Sequence, residues 1–332
     1  MRRPHLIRPD ATRRAWLTAA ALAAIGSTAI RARGGSSKAT RIVVAGASGA
    51  AADIVARVLV DAVGNDLGPA VIVDPKPGAS GVLAVNELLQ SPHDGRTLLV
   101  AVNSLVSEVP HVVRLRIDMA HAIKPLAELA RGGLVLIAHP SFPAQSLAEL
   151  IAYAKANPGK VSVASYSAGT LSHVLGLLLN QAAGIDLVHV GYKGSTPALT
   201  DVMGGHVPLM FDGIPTSLPL IRSGRLKAFA VSTPRRSPLL PDVPTFAELG
   251  YPGLEALAWL GLWCPPDVPA PVQARVRDAA LRALARPAVV NRLHEIGFDA
   301  GLPRTPDELA SGLAADYERM GAVLKRIGFK PE

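Results

Sequence analysis

The residues best suited to chemistry lie in the stretch VSVASYSAGTLSHVLG, residues 161–176. Ser167 and His173 could form a nucleophile with its base, or the small residues around them could leave backbone amides open to an anion. A nucleophile elbow requires Gly-x-Ser-x-Gly, and Ser165 stands where the first glycine belongs. A catalytic histidine also comes from elsewhere in the fold, whereas His173 follows on the next predicted helix. The stretch therefore favours an anion site, and serine hydrolysis stays a minor alternative.

A second stretch repeats this pattern 120 residues earlier, where RIVVAGASGAAADIV places Gly49 opposite Gly169 and Asp53 opposite His173. Each copy predicts a strand, a loop of small residues and a helix N-terminus. Unpaired amides and the positive end of the helix dipole attract an anion that small residues allow to approach. Asp53 could instead interact with the dipole, hold the loop or receive a ligand's amino group. The repeat predicts two α/β halves that face each other.

The first loop also permits a dinucleotide fold, because Gly46-x-x-Gly49-x-x-Ala52 follows a strand and Asp74 ends the next one. The close Gly-x-Gly pair of the fingerprint is missing, and no Tyr-x-x-x-Lys pair follows. An NAD(P)-dependent oxidoreductase of Rossmann type therefore stays the alternative function. The histidines lack zinc-like spacing, and the lone Cys264 predicts a small buried hydrophobic residue.

The positive charge is concentrated at the start of the chain. The formal net charge is +8, yet residues 1–38 hold eight arginines and lysines against Asp10 alone, so the remainder is nearly neutral. Nucleic-acid binding by the folded part therefore loses its main support, since it would need a basic surface there. The apolar run from Trp16 to Ile30 has the length of a signal peptide, and TRRAWLT (12–18) resembles a twin-arginine export motif. We expect residues 1–38 to be an export signal with a flexible entry segment.

The elements that must position these loops alternate along the chain. Strands separated by helices predict an α/β fold with parallel pairing, and 332 residues favour two domains. Predicted strands are 41–46, 70–74, 97–102, 133–140, 161–166, 186–191, 207–212 and 226–232. Predicted helices are 53–68, 82–91, 146–159, 171–184 and 196–205, followed by a mostly helical tail over 271–329.

Four stretches together resemble the Bug-type periplasmic solute receptors of tripartite tricarboxylate transporters: PKPGASG (75–81), SAGTLSHVLG (167–176), GYKGSTPALTDVMGGHVPLMFD (191–212) and GRLKAFAVSTPRRSPLLPDVPTFAELGYPGLE (224–255). The resemblance implies a two-lobed, type II-like periplasmic binding protein fold with mixed sheets, flanking helices and a ligand cleft between the lobes. Its implied lobes are 39–137 plus 259–332, and 138–258. It further implies a periplasmic, monomeric, cofactor-free receptor, not an enzyme, that serves membrane transport subunits.

The same resemblance implies which residues hold the solute, a small organic molecule that we expect to be carboxylated. In the family, backbone amides and ordered waters of the two loops bind the ligand carboxylate. Carried over by position, the candidates are Ala47, Ser48, Gly49 and Asp53 on one side, Ser167, Gly169, Thr170 and His173 on the other, and Asp212 as a specificity residue. The first loop departs from the family pattern Pro-Phe-x-x-Gly-Gly, since it reads AGASGAAAD. The identity of the solute therefore stays open.

Overall fold

The computed structural model describes residues 39–326 and 329–330. The export signal predicted over residues 1–38 and its twin-arginine motif lie outside the described residues. Between residues 39 and 326, no helix combines the length and the apolar character needed to cross a membrane.

Eleven strands occur in the described residues. They are β1 Thr40–Val44, β2 Val71–Pro75, β3 Thr97–Val102, β4 Lys124–Gly132, β5 Leu134–Ala138, β6 Val161–Ser165, β7 Leu187–Gly191, β8 Leu209–Gly213, β9 Lys227–Val231, β10 Ala258–Cys264 and β11 Asp299–Ala300.

The α-helices of the same residues surround these strands. They are α1 Ala51–Val63, α2 Val82–Leu89, α3 Ser104–Ser107, α4 Val109–Val112, α5 Met119–Ala122, α6 Leu147–Ala156, α7 Leu171–Ala183, α8 Ser195–Met203, α9 Ile214–Arg222, α10 Ala270–Leu284, α11 Pro287–Glu295 and α12 Pro306–Arg326. Short 3₁₀ turns occupy Gly64–Leu67, Ala79–Gly81 and Pro252–Leu254.

The strands form two separate mixed sheets. The first has the order β11-β4-β10-β3-β1-β2, and the second has the order β7-β6-β8-β5-β9. In each sheet one group of three strands is parallel, β3-β1-β2 in the first and β7-β6-β8 in the second. Antiparallel strands complete each sheet beside that group. The α/β prediction is confirmed, and the antiparallel strands make the sheets mixed.

Both sheets are buried on both faces, which the side-chain alternation of the strands explains. In β1, Ile42 and Val44 pack into one apolar cluster while Val43 packs into another on the opposite face. In β5, Leu136 and Ile137 divide in the same way between two clusters of the second sheet. Strands covered by helices on both sides read as continuous apolar runs, and therefore β1 and β5 could be recognised in the sequence.

The predicted repeat is confirmed at the level of local geometry. Helices α1 and α7 each contain 13 residues and begin 120 positions apart. Their N-cap residues, Ala50 and Thr170, have nearly equal backbone angles, with φ −76° and ψ 167° against φ −81° and ψ 165°. The glycines one position earlier, Gly49 and Gly169, have φ +76° and +77°. Each sheet thus carries one copy of the same strand, loop and helix.

Strands β4 and β10 were absent from the sequence prediction. β4 reads KPLAELARG and holds the fully buried Glu128, whose carboxylate pairs with Arg131. A proline, alanines and charges are poor indicators of a strand, so an internal strand that contains a buried ion pair escapes pattern analysis. β10 pairs with both β3 and β4 and completes the first sheet from a distant part of the chain.

Candidate ligand-binding cleft

A cavity of about 110 Å³ lies between the two sheets. Its walls are the segments that follow the parallel strands of both sheets, together with the β4–β5 connection and part of β10. The lining residues are Ala45, Gly46, Ala50, Ala51, Ala52, Gly78, Ser80, Gly81, Ala101, Val102, Ser104, Leu105, Val109, Gly132, Gly133, Leu134, Tyr166, Ser167, Thr170, Lys193, Gly194, Ser195, Gly213, Ala258, Leu260 and Phe298. Ligands of open α/β sheets bind outside the carboxyl ends of the strands, which is where this cavity lies.

Five helices begin at the cavity wall. The N-cap residues of α1, α2, α7, α8 and α9 all line it, and none of the five caps its helix with a side-chain hydrogen bond. These N-caps are Ala50, Gly81, Thr170, Gly194 and Gly213. By contrast, Ser146 caps α6 away from the cavity by accepting a hydrogen bond from the amide of Glu149. The converging N-termini give the cavity amide donors and positive partial charge.

The formal charge of the lining has the same sign as the helix N-termini. Among the described residues that form the wall, Lys193 carries the only formal charge, and the wall contains no aspartate or glutamate. A ligand with a negative charge therefore enters without meeting a carboxylate of the wall. The geometry is that of an anion site built from backbone and small side chains.

The first loop, residues 45–50, is held from behind by Asp53. The Gly49 amide donates a 2.9 Å hydrogen bond to Asp53 Oδ2, and Arg57 donates to both carboxylate oxygens at 3.0 Å. Asp53 is 2% exposed and does not line the cavity. Its carboxylate is therefore occupied in holding the loop, which is one of the roles considered for it from the sequence.

Two other predicted site residues of the first loop, Ala47 and Ser48, contact the opposite lobe at the cavity rim. The Ser48 carbonyl accepts a 3.0 Å hydrogen bond from Thr196 Oγ1. Gly194 passes so close to Ala47 that a Cβ atom at position 194 would lie 2.9 Å from the Ala47 Cβ. A residue with no side chain is needed at this crossing, where the two lobes meet.

The second loop, residues 166–170, is held in the same manner by His173. The Gly169 amide donates a 3.2 Å hydrogen bond to His173 Nδ1, which must therefore be unprotonated. Burial and the neighbouring His189, whose ring stacks at 3.6 Å, lower the pKa of His173 to about 3. The imidazole is thus neutral near pH 7, and it serves the second loop as the Asp53 carboxylate serves the first.

Two of the predicted site residues, Ser167 and Thr170, line the cavity, and their hydroxyls connect the lobes and the loop. Thr170 Oγ1 donates to the Ser167 carbonyl at 2.6 Å, and Ser167 Oγ donates to Ser80 Oγ at 3.0 Å. Ser80 Oγ in turn donates to the carbonyl of Ala168 at 2.9 Å. Since Ser167 bonds to Ser80 and His173 bonds to an amide, Ser167 and His173 do not form the serine–histidine pair of a hydrolase.

Asp212 lies at the end of β8, fully buried beneath the cavity wall. It accepts hydrogen bonds from Ser195 at 2.5 Å, Thr216 at 2.5 Å and Ser217 at 2.9 Å. Burial raises the pKa of this carboxyl, while the three hydroxyls oppose that shift. Asp212 joins the N-termini of α8 and α9, and of the three hydroxyl donors only Ser195 lines the cavity.

Sequence reasoning left several lining residues unassigned, above all Ser80, Ser104 and Lys193. Ser80 lies in the motif PKPGASG, which had been recognised without a role for its residues. Its signal was the close pair Gly78 and Gly81, which predicts a tight backbone turn. Ser104 had no signal, because it follows an ordinary buried strand. Lys193 lies in another recognised stretch, 191–212, where a solvated charge and a role in the site are equal alternatives from the sequence.

Comparison with known families agrees with this geometry. The family model described as "Tripartite tricarboxylate transporter family receptor" matches residues 55–329. The chain belongs to this family. A curated relative, Protein BugT of Bordetella pertussis, is 32% identical over 290 residues, which cover 85% of this chain and 87% of BugT.

Solved structures show the same fold. The periplasmic binding protein BugD is 30% identical with a TM-score of 0.82, and the match covers 88% of this chain and 98% of that protein. MatC of Rhodopseudomonas palustris, with bound malate, is 31% identical with a TM-score of 0.81 over 86% of this chain and 98% of MatC. Rpa4515 of R. palustris, with adipate, is 29% identical with a TM-score of 0.84 over 89% and 98% of the two chains.

Family membership and these structures confirm the periplasmic binding protein fold with two lobes. The protein is a periplasmic solute receptor and not an enzyme. The dinucleotide-dependent oxidoreductase, kept as an alternative from the sequence, gains no support from the family or from the cleft.

Proposed function

We propose that this receptor binds a small carboxylate in the cleft and presents it to the membrane subunits of a tripartite transporter. The observation that carries the proposal is the convergence of five uncapped helix N-termini on a cavity without acidic side chains. A carboxylate accepts hydrogen bonds from such amides and is attracted by the dipoles. The malate and adipate named for MatC and Rpa4515 are ligands of this chemistry.

The predicted site residues divide into three roles in this proposal. Ser167 and Thr170 face the solute, since both line the cavity. Gly49 and Gly169 provide the left-handed backbone that turns each loop toward the helix N-terminus. The remaining candidates act through the loops: Ala47 and Ser48 meet the opposite lobe, whereas Asp53, His173 and Asp212 hold the loop amides and helix ends in place.

We further propose that the chain passes from the first lobe to the second near Gly133 and returns near residue 257, close to the predicted boundaries at 137 and 258. The support is sheet membership, because β4 and β10 belong to the first sheet and β5 and β9 to the second. Both crossings lie beside the cavity, where Gly132, Gly133 and Ala258 line the wall. Solute contacts to both lobes would favour the closed state.

Export by the twin-arginine route and a monomeric state complete the proposal. The support for export is the arginine pair and the apolar run within residues 1–38. A fusion of residues 1–38 to a reporter that must fold before export would test the route. Export in cells that lack the twin-arginine translocase would contradict it, and sedimentation analysis would test the monomer.

The carboxylate proposal is tested by a thermal-shift screen of the purified protein. The panel contains malate, adipate, citrate, aromatic acids, amino acids and NADH at neutral pH. A ligand that binds only the folded state stabilises it by about 2.7 kcal/mol at a hundredfold excess over its dissociation constant. A concentration-dependent rise in melting temperature with a carboxylate supports the proposal. A rise with NADH alone would contradict it.

A further inference from the structure

Ser104 carries a buried hydroxyl without a hydrogen-bond partner. Its side chain is 0% exposed and lines the cavity at the end of β3, and Ser104 Oγ has no partner in the described residues. Most buried polar side chains are hydrogen-bonded, because an unpaired hydroxyl loses its interactions with water. An unpaired hydroxyl in the wall of a ligand cavity indicates a group whose hydrogen-bond partner is supplied by the bound ligand.

Four other hydroxyls of the wall provide the contrast. The hydroxyls of Ser80, Ser167, Thr170 and Ser195 each donate to an acceptor of the protein. Three residues after Ser104, the equally buried Ser107 donates to the Asn103 carbonyl at 3.1 Å. A buried serine on this segment can therefore be satisfied by the protein, and Ser104 is not.

The backbone that carries Ser104 is firmly held. The Asn103 amide donates to the Trp259 carbonyl at 2.9 Å, and the Trp259 amide donates to Asn103 Oδ1 at 2.9 Å. This reciprocal pair fastens the end of β3 to β10. The neighbouring lining residues, Val102 and Leu105, are apolar. Ser104 is thus a fixed polar group within an apolar part of the wall, and in such surroundings one hydrogen bond discriminates strongly between ligands.

We propose that Ser104 is a specificity-determining residue that donates a hydrogen bond to an oxygen of the bound solute. The inference rests on the proposed function: the helix N-termini hold one carboxylate, and Ser104 selects acids with a second acceptor, such as a second carboxylate or a hydroxyl. Acids with a plain hydrocarbon tail would leave Ser104 Oγ unpaired and bind more weakly.

The role has a signature that a structural serine would lack. Removal of an unpaired hydroxyl costs the unliganded protein no hydrogen bond, so Ser104→Ala should melt at the wild-type temperature or above it. The same change should weaken binding of a dicarboxylic acid by about 10-fold or more, which is the usual effect of losing a hydrogen bond to a charged group. Unliganded stability and affinity therefore do not fall together.

The test is calorimetric titration of the full-length protein with adipate paired with hexanoate, and with malate paired with butyrate. Ser107→Ala is the matched control, because it removes a hydroxyl that the protein already satisfies. We expect Ser104→Ala to bind the diacid more weakly than wild type does. We expect it to bind the matched monocarboxylic acid as tightly as wild type does. We expect Ser107→Ala to lower the melting temperature and leave both affinities unchanged.

The outcomes separate the inference from the function on which it rests. If wild type binds the diacids and Ser104→Ala binds them equally well, the inference fails and the carboxylate function stands. An equal loss of affinity for the diacid and for its matched monocarboxylic acid also overturns the inference. So does a lowered melting temperature with unchanged affinity. If no carboxylate of the thermal-shift panel binds wild type, both proposals fail. Ser104→Cys, which keeps the shape of the side chain and weakens the donor, should bind diacids with intermediate affinity.

Discussion

Alanine substitutions at the matched glycines Gly49 and Gly169 can test how closely helix α4 packs against the second loop. Gly49 and Gly169 have nearly the same positive φ, but their surroundings differ. A Cβ atom at position 169 would lie 2.9 Å from the Val109 Cα and 3.2 Å from the Val112 Cβ. At position 49 the nearest atom would be the Thr196 Oγ1 at 3.9 Å, an ordinary contact.

Both alanine variants therefore lose stability through backbone strain, and only Gly169→Ala also loses stability through overpacking. Left-handed backbone costs a residue with a Cβ about 1–2 kcal/mol, and this applies to both Gly49→Ala and Gly169→Ala. Overpacking against Val109 and Val112 adds about 1–3 kcal/mol to the second variant alone. Because the Val109 backbone cannot rotate away as a side-chain end could, we expect Gly169→Ala to lose about 2–5 kcal/mol in total.

Urea denaturation of the unliganded variants measures this difference. Equal slopes with different midpoints would show that the native state, and not the compactness of the unfolded chain, has changed. Gly169→Ala should unfold at clearly lower urea concentration than Gly49→Ala. Equal midpoints for the two variants would refute the close packing of α4 against the second loop.

Other contacts give three further predictions. Ser80→Ala removes a hydroxyl that joins the lobes, so solute affinity should fall by about 2- to 10-fold in calorimetric titration; unchanged affinity would contradict this role. Ser80 has φ +50°, so Ser80→Gly should resist urea better than Ser80→Ala, and the reverse order would argue against backbone strain. The pKa of His173, lowered from 6.5 to about 3, gives stability that is present above pH 6.5 and lost as the pH falls. Burial raises the pKa of Glu108 from 4.5 to about 7, which gives stability present below pH 4.5 and lost as the pH rises through 7. Since the two effects oppose each other between pH 4.5 and 6.5, Glu108→Gln should lose stability on acidification more steeply than wild type, by about 1.4 kcal/mol per pH unit at most; parallel curves would contradict the assignment.

The two loops could be predicted because small residues and glycines recur at fixed spacing ahead of each helix. The repeat placed Gly49 and Gly169 correctly, since positive φ at a strand–helix junction selects glycine strongly. The roles of Asp53 and His173 could not be settled in this way. Sequence shows that each lies one helical turn beyond the loop, but only the three-dimensional contacts show that both point back to the loop amide.

The remaining wall of the cleft depends on contacts distant in sequence. Strand β10 joins β3 across about 160 residues, and it fixes Ser104 through Asn103 and Trp259. No local sequence pattern predicts a pairing between strands so far apart in the chain. An unpaired hydroxyl can be recognised only when the positions of all the surrounding residues are known. Ser80 illustrates a related difficulty, because its role lies in two contacts with the opposite lobe.

Calorimetric titration of the wild-type protein with adipate and malate, each compared with its uncharged diamide, tests most directly that the cleft is a carboxylate site. Acid and diamide share size and shape, so the comparison isolates the charge that the helix N-termini should attract. We predict that at least one of the acids binds and that its diamide binds about 10-fold more weakly or worse. Equal affinity for acid and diamide would contradict the account.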